Sequence, residues 1–180
     1  MADAAVPRRA PLLRQTALLR LLAPAARFIL RGAPQVISKA GDALELPIEQ
    51  EPCRASQGAA CAALWLGPDE YLLIAPNTDG RALARALGEA LTSAPHSLVD
   101  VSHRQSALEV TGHNAADIIN SGCPLDLHPT QFAVGMCTRT VLAKAEIVLW
   151  RTASDVFHIE VWRSFTDYVA CFLNEAASEF

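Results

Sequence analysis

The apolar residues of this chain fall into short runs and helical stripes, and these come in a recurring order. The run at 27–31 predicts a strand ending at Gly32. Pro34 then opens a short helix at its first position, where a missing N–H costs nothing, and Gly41 is expected to close it. Two strand-like runs, 49–56 and 60–66, flank a Gln57-Gly58 turn. Gly67-Pro68-Asp69 makes the next turn, and 71–75 is apolar without alternation, as in a buried strand. Leu83, Ala86, Leu87, Ala90 and Leu91 follow at i, i+3, i+4, i+7 and i+8, which is one helix face. Asn77, Thr78 and Asp79 are its candidate N-caps.

The second half runs through the same order. Residues 107–110 read as a strand ending at Gly112, and a helix over 114–121 stops at Gly122. A hairpin of 138–142 and 146–151 turns around Lys144, and 156–162 is the next strand. Phe165, Tyr168, Val169, Phe172 and Ala176 mark a last helix face, entered through Ser164 and Asp167 as a weak capping box. Residues 97–102 form a strand bridging the halves. Single residues also align: Gly32 with Gly112, Gly41 with Gly122, Trp65 with Trp150, and Asp69 with Asp155. Their offsets drift only from 80 to 86 while their order is preserved. This predicts a tandem duplication of a β-α-β-β-β-α unit, with repeats at about 27–95 and 98–178. Each repeat is too small to cover its own sheet, so the expected fold is one pseudo-twofold α+β domain over 27–180.

Composition narrows the class. Hydrophobic residues at 51% and charged residues at 19% exclude a disordered chain. A net charge of −4 gives no case for binding a polyanion. No run approaches the roughly 18 apolar residues of a membrane helix, so a soluble protein is expected. Five cysteines without a CxxC pair predict reduced thiols in a cytoplasmic setting.

Charge is unevenly spread. Residues 1–31 hold six arginines against Asp3 alone, and leucines and prolines are scattered among them. A cleaved presequence would be richer in serine, and the prolines spoil a membrane-surface helix. An arm over 1–26, laid on an acidic and partly apolar partner, fits better. On that reading Arg8, Arg9 and Arg14 fork to carboxylates while Leu12, Leu13, Leu18 and Leu19 are buried by the partner.

Candidate chemistry is sparse. Cys123 stands beyond a helix C-terminus, where the field disfavours a thiolate, and reads as a buried thiol. Cys53, Cys61, Cys137 and Cys171 read as core residues. The histidines are scattered without ligand spacing, and His158 is expected on a solvent-facing or interface side of its strand. Asp100-Val101-Ser102-His103-Arg104 holds hydrolase residue types, but one extended run cannot fold them into a triad. Asp100, His103 and Arg104 are therefore expected to pin loops or meet a partner, as are Arg139 and Arg163. Dinucleotide, P-loop, nucleophile-elbow and zincin motifs are missing from the sequence, so no catalytic, cofactor-binding or metal residue is assigned.

Four stretches together resemble a known family: residues 64–73 (LWLGPDEYLL), 99–105 (VDVSHRQ), 122–127 (GCPLDL), and Thr138-Arg139-Thr140 with Arg163-Ser164-Phe165. The chain resembles the gamma subunit of heterotetrameric sarcosine oxidase over about residues 8–178. More distantly, Asp100-Val101-Ser102-His103 and Val110-Thr111-Gly112 are similar to the folate-binding domain of glycine-cleavage aminomethyltransferases, itself an internal duplication. The resemblance implies a non-catalytic subunit serving assembly and stability of a complex that demethylates sarcosine oxidatively to glycine. It implies hydrogen peroxide as a product and transfer of the one-carbon unit to tetrahydrofolate. It places FAD, FMN, NAD and tetrahydrofolate in the alpha and beta subunits and zinc in the delta subunit. The alternative it leaves is a stand-alone folate-binding, aminomethyltransferase-like protein.

Overall fold

The computed structural model describes residues 18–76 and 79–180. Arg8, Arg9, Arg14, Leu12 and Leu13 lie outside them, as do the candidate caps Asn77 and Thr78. The chain begins with β1 (Leu19–Leu21), β2 (Ala25–Gly32) and α1 (Pro34–Ala43). Then come β3 (Ala55–Gln57), β4 (Ala62–Gly67), β5 (Glu70–Pro76), α2 (Gly80–Leu91) and β6 (His96–Asp100). The second half holds β7 (Gln105–Thr111), α3 (Ala115–Asn120), β8 (Cys137–Leu142), β9 (Ala145–Ala153), β10 (Val156–Trp162) and α4 (Thr166–Ala177). No helix among the described residues is long and apolar enough to cross a membrane.

Two antiparallel five-stranded sheets result, ordered β3-β4-β5-β2-β6 and β8-β9-β10-β7-β1. The order is the same in both, with the outer strands exchanged. β6, which leads into the second half, pairs with β2 of the first sheet, and β1, which leads into the first half, pairs with β7 of the second. Matching hydrogen bonds fix the exchange: Leu22 N–H to Ala107 O at 2.8 Å and Val101 N–H to Arg27 O at 2.9 Å. Gly32 N–H meets Asp69 O at 3.0 Å, and Gly112 N–H meets Asp155 O at 2.9 Å.

Three apolar layers follow from strand alternation. Phe28, Leu30, Tyr71 and Leu73 face α1 and α2. Leu108, Val110, Phe157 and Ile159 face α3 and α4. Leu64, Leu72, Ile74, Cys137, Val148 and Trp150 meet between the sheets. Both faces of the central strands are thus covered, which is why 71–75 is apolar throughout.

Several expectations are corrected. Gly41 does not close α1 but lies within it, where an added Cβ would sit 2.6 Å from the Leu46 carbonyl oxygen. The helix is left at Glu45, with φ 51, and Leu46 N–H returns to Gly41 O at 2.9 Å. Residues 49–54 lie outside any strand, since Pro52 cannot donate and Cys53 has φ 60. Ser164 and Asp167 form no capping box, because a 3-10 turn over Arg163–Phe165 leads into α4. Its tighter winding turns the stripe toward Val169, Ala170 and Leu173 and leaves Phe165 and Tyr168 each 39% exposed. The arm expected over 1–26 is shortened as well. Leu19 is buried in the second half's core with Leu18 packed against it, so these two leucines are not free for a partner.

Candidate functional site

The layer between the sheets holds charges where an all-apolar seam is the simplest solution. Arg27 on β2 and Glu160 on β10 form an ion pair of 2.7 Å, with side chains 2% and 0% exposed. His158 Nε2 lies 2.8 Å from the other Glu160 oxygen, and its ring packs against Trp150 at 5.6 Å. Arg27 faces Ile74 across β2 and β5, while Glu160 faces Ala107 across β10 and β7. In the matching halves, Ala107 stands where Arg27 does and Ile74 where Glu160 does. The charged pair occupies one diagonal of the seam and an apolar pair the other. His158 is therefore buried, contrary to the expectation of a solvent or interface side, because alternation in β10 points it at the other sheet.

A cleft of about 470 Å³ opens at one end of this seam, lined among others by Arg104, Gln105, Arg139, Glu146, Glu160 and Trp162. Ile29, Leu66 and Val148 give it an apolar wall. Gln105 is 9% exposed and its Oε1 has no hydrogen-bond partner. Trp162, the register partner of Gln105, is 44% exposed with the Arg104 guanidinium 5.4 Å from its ring centre. Arg163 donates its backbone N–H to Arg104 O at 2.8 Å and an Nη1 hydrogen to His103 O at 3.5 Å. Arg139 pairs with Glu70 and so ties β8 to β5 across the seam.

A second cleft of about 330 Å³ lies at the quasi-equivalent place. Ile74, Pro76 and Glu109 stand there as Glu160, Trp162 and Ile29 stand in the first. The small residues at 58–62 form one side of it, and Leu22, Trp150 and His158 line it as well. The two clefts differ in chemistry although the backbone order that makes them is the same.

Asp100 takes a structural role. Its Oδ1 accepts the Ser102 hydroxyl at 2.6 Å and the Ser102 N–H at 2.9 Å, which holds its carboxyl below the usual carboxylate range. Ser102 Oγ in turn accepts the Arg27 N–H at 2.9 Å, so the clamp fastens the crossover between sheets onto β2. Cys61, Cys123 and Cys137 are buried; Cys53 is half-buried in a turn and Cys171 is exposed on α4, so these two are not core residues. Among the described residues, no three His, Cys, Asp or Glu side chains converge to hold a metal ion.

Of the residues expected to pin loops or meet a partner, Arg104 and Arg139 line the first cleft, and His103 and Arg163 join Arg104 at its rim. Asp100 is spent on the crossover. Sequence reasoning missed Arg27, Gln105, Glu160 and Trp162, and also Arg151, buried and donating to the carbonyls of Leu127, Phe132 and Ser154. The available signal was the unbroken apolar run at 71–75, which already demanded a second covered face.

A family profile described as "Sarcosine oxidase, gamma subunit family" matches residues 33–179. The chain is 42% identical over 119 residues to a "Sarcosine oxidase subunit gamma" of Corynebacterium sp. (strain P-1), covering 66% of this chain and 58% of that protein. It is 38% identical over 130 residues to one of Arthrobacter sp., covering 72% and 62%. The matched stretch thus spans about three-fifths of these relatives. A chain of the heterotetrameric sarcosine oxidase from Corynebacterium sp. U-96, solved in complex with pyrrole 2-carboxylate, superposes with TM-score 0.84 at 33% identity, covering 90% of this chain and 84% of that one. Aminomethyltransferase T of the glycine cleavage system from Bartonella henselae superposes with TM-score 0.65 at 13% identity, covering 86% and 44%, which is a likeness of fold.

Proposed function

The chain belongs to the sarcosine oxidase gamma-subunit family, and from that premise we propose that it is the gamma subunit of a heterotetrameric sarcosine oxidase, serving assembly and stability. The observation that carries the reading is the superposition over 90% of the chain on a component of such a complex. The internal chemistry supports a scaffold. Glu160 is taken up by Arg27 and His158, Arg151 by three carbonyls, and Asp100 by Ser102. These polar groups are spent on joining sheets and loops, which suits a subunit whose task is shape.

On this reading its partners are the alpha, beta and delta subunits, in the cytoplasm. The FAD, FMN, NAD and tetrahydrofolate of the reaction belong to alpha and beta, and the zinc to delta. Those subunits demethylate sarcosine to glycine, form hydrogen peroxide and pass the one-carbon unit to tetrahydrofolate. A stand-alone folate-binding protein has only the fold likeness behind it.

The test is co-expression of the other three subunits with and without this chain, followed by assay of sarcosine-dependent peroxide. Loss of soluble, active complex without the chain is expected. Unchanged yield and activity would overturn the role, as would flavin absorbance or micromolar tetrahydrofolate binding by the isolated chain.

A further inference from the structure

Four apolar side chains around the mouth of the first cleft are left in water: Trp162 at 44%, Val141 at 40%, and Phe165 and Tyr168 at 39% each. Trp162 and Val141 line the cleft, and Phe165 and Tyr168 follow Trp162 in sequence at the entry to α4. Arg104 covers part of Trp162, Arg163 hydrogen-bonds Arg104 through the backbone, and Phe165 stacks edge-on with Tyr168 at 6.3 Å. The Tyr168 hydroxyl meets the Lys144 N–H in the β8–β9 turn at 3.4 Å, and Val141 shares the cleft wall with Trp162. Contiguous exposed aromatics mixed with arginine are the composition of binding hot spots.

The charges say what kind of surface fits. Among the described residues Arg104 and Arg163 have no carboxylate partner, and neither does Glu146 have a cation. Gln105, nine-tenths buried, lines the cleft, and its Oε1 lies out of solvent with no hydrogen-bond partner. A buried acceptor left unmatched is costly, and a turn of the Gln105 side chain toward a donor on a docked segment would relieve that cost. A second copy of this chain fits poorly, since a twofold contact through this patch would set Arg104 and Arg163 against their own copies.

Resting on the reading of the chain as a complex subunit, we propose that this cleft and its aromatic rim seat a segment of a larger subunit. That segment presents an N–H donor to Gln105, an apolar side chain to the wall of Ile29, Leu66 and Val148, and a carboxylate to Arg104 and Arg163. The second cleft has no arginine and no orphan acceptor in its lining, so it is not the seat of this segment.

The full chain and its variants are co-expressed with the alpha, beta and delta subunits. The amount of chain retained on a tagged alpha subunit is measured, and the dissociation constant is obtained by dilution. Trp162→Ala and Arg104→Glu are each expected to weaken retention at least about tenfold. Gln105→Met is expected to weaken it severalfold while the free chain melts at the same temperature or higher, because an orphan acceptor is removed. A merely structural Gln105 would give the same melting behaviour with unchanged retention. Ala60→Arg, in the second cleft, is expected to assemble like the parent. Parent-like retention of the three first-cleft variants, or loss with Ala60→Arg alone, overturns the docking site and leaves the gamma-subunit reading standing. Failure of the parent chain itself to be retained overturns both.

Discussion

Arg27 Nε lies 2.7 Å from Glu160 Oε2 with both side chains out of water, and the bond runs from one sheet to the other. Removing one partner leaves a buried charge unpaired, so Arg27→Ala or Glu160→Ala is expected to cost about 3–5 kcal/mol in urea unfolding. The apolar diagonal of the same seam, Ala107 and Ile74, shows that this packing accepts uncharged residues. Arg27→Met combined with Glu160→Ile is therefore expected to recover most of the loss. Additive losses in the double variant would contradict this account of the pair.

The start of the described chain belongs to the folded body. Leu19 is 2% exposed, and Thr111 N–H meets Leu18 O at 2.8 Å. Deleting residues 1–22 strips β1 from β7 and is expected to lower the melting temperature sharply. Leu19→Asp combines a lost apolar burial of about 1.5–3 kcal/mol with a buried charge and is expected to act in the same direction. A truncated chain that melts with the parent would show that β1 is dispensable.

Two glycines are expected to respond with opposite signs. Gly112 has φ +117, and an added Cβ would lie 2.5 Å from a Leu18 methyl. Gly112→Ala is expected to destabilise by about 1–3 kcal/mol. Gly88 lies inside α2 with nothing within 4 Å of an added Cβ. Gly88→Ala is expected to stabilise by about 0.4–1 kcal/mol, by reducing the freedom of the unfolded chain. Thermal unfolding of both variants distinguishes the signs.

Burial pushes the Cys137 thiol up to about 12, and the thiol donates to the Trp65 carbonyl. Burial also raises Cys61 and Tyr71. An acid whose folded pKa lies above its unfolded value keeps its proton in the fold while the unfolded chain has lost it. Stability from these groups is full below about pH 9 and declines as pH rises toward 12. Cys137→Ala is expected to flatten that alkaline decline in unfolding curves taken from pH 8 to 11. At pH 8, iodoacetamide is expected to reach exposed Cys171 quickly and Cys137 only in denaturant.

Local order was legible where a local rule decides it. The strands at 27–31, 71–75 and 156–162, the α1 start at Pro34 and the Asp79 cap all stand where periodicity and turn chemistry put them. The misplaced features each depended on packing that no residue type announces. Gly41 reads as a helix stop by itself, but its smallness serves the carbonyl of Leu46. The α4 stripe is offset because a 3-10 turn precedes it, and no residue type announces that turn.

The candidate site was harder to see for the same reason. His158 and Glu160 alternate with Phe157, Ile159 and Val161, and alternation alone assigns them to water. Arg27 was legible only as the first residue of a predicted strand and one of six arginines in residues 1–31. Most elements, their order and the family were readable from the residues alone, since these depend on periods of 2 and 3.6 residues and on contiguous runs. Whether the second face of each strand meets water was settled by the packing of the two sheets. That face is covered by a sheet whose pairing exchanges β1 and β6 between halves, a long-range arrangement that no local pattern encodes. With it came the burial of Arg27 against Glu160, and the unequal chemistry of two clefts built on the same strand order.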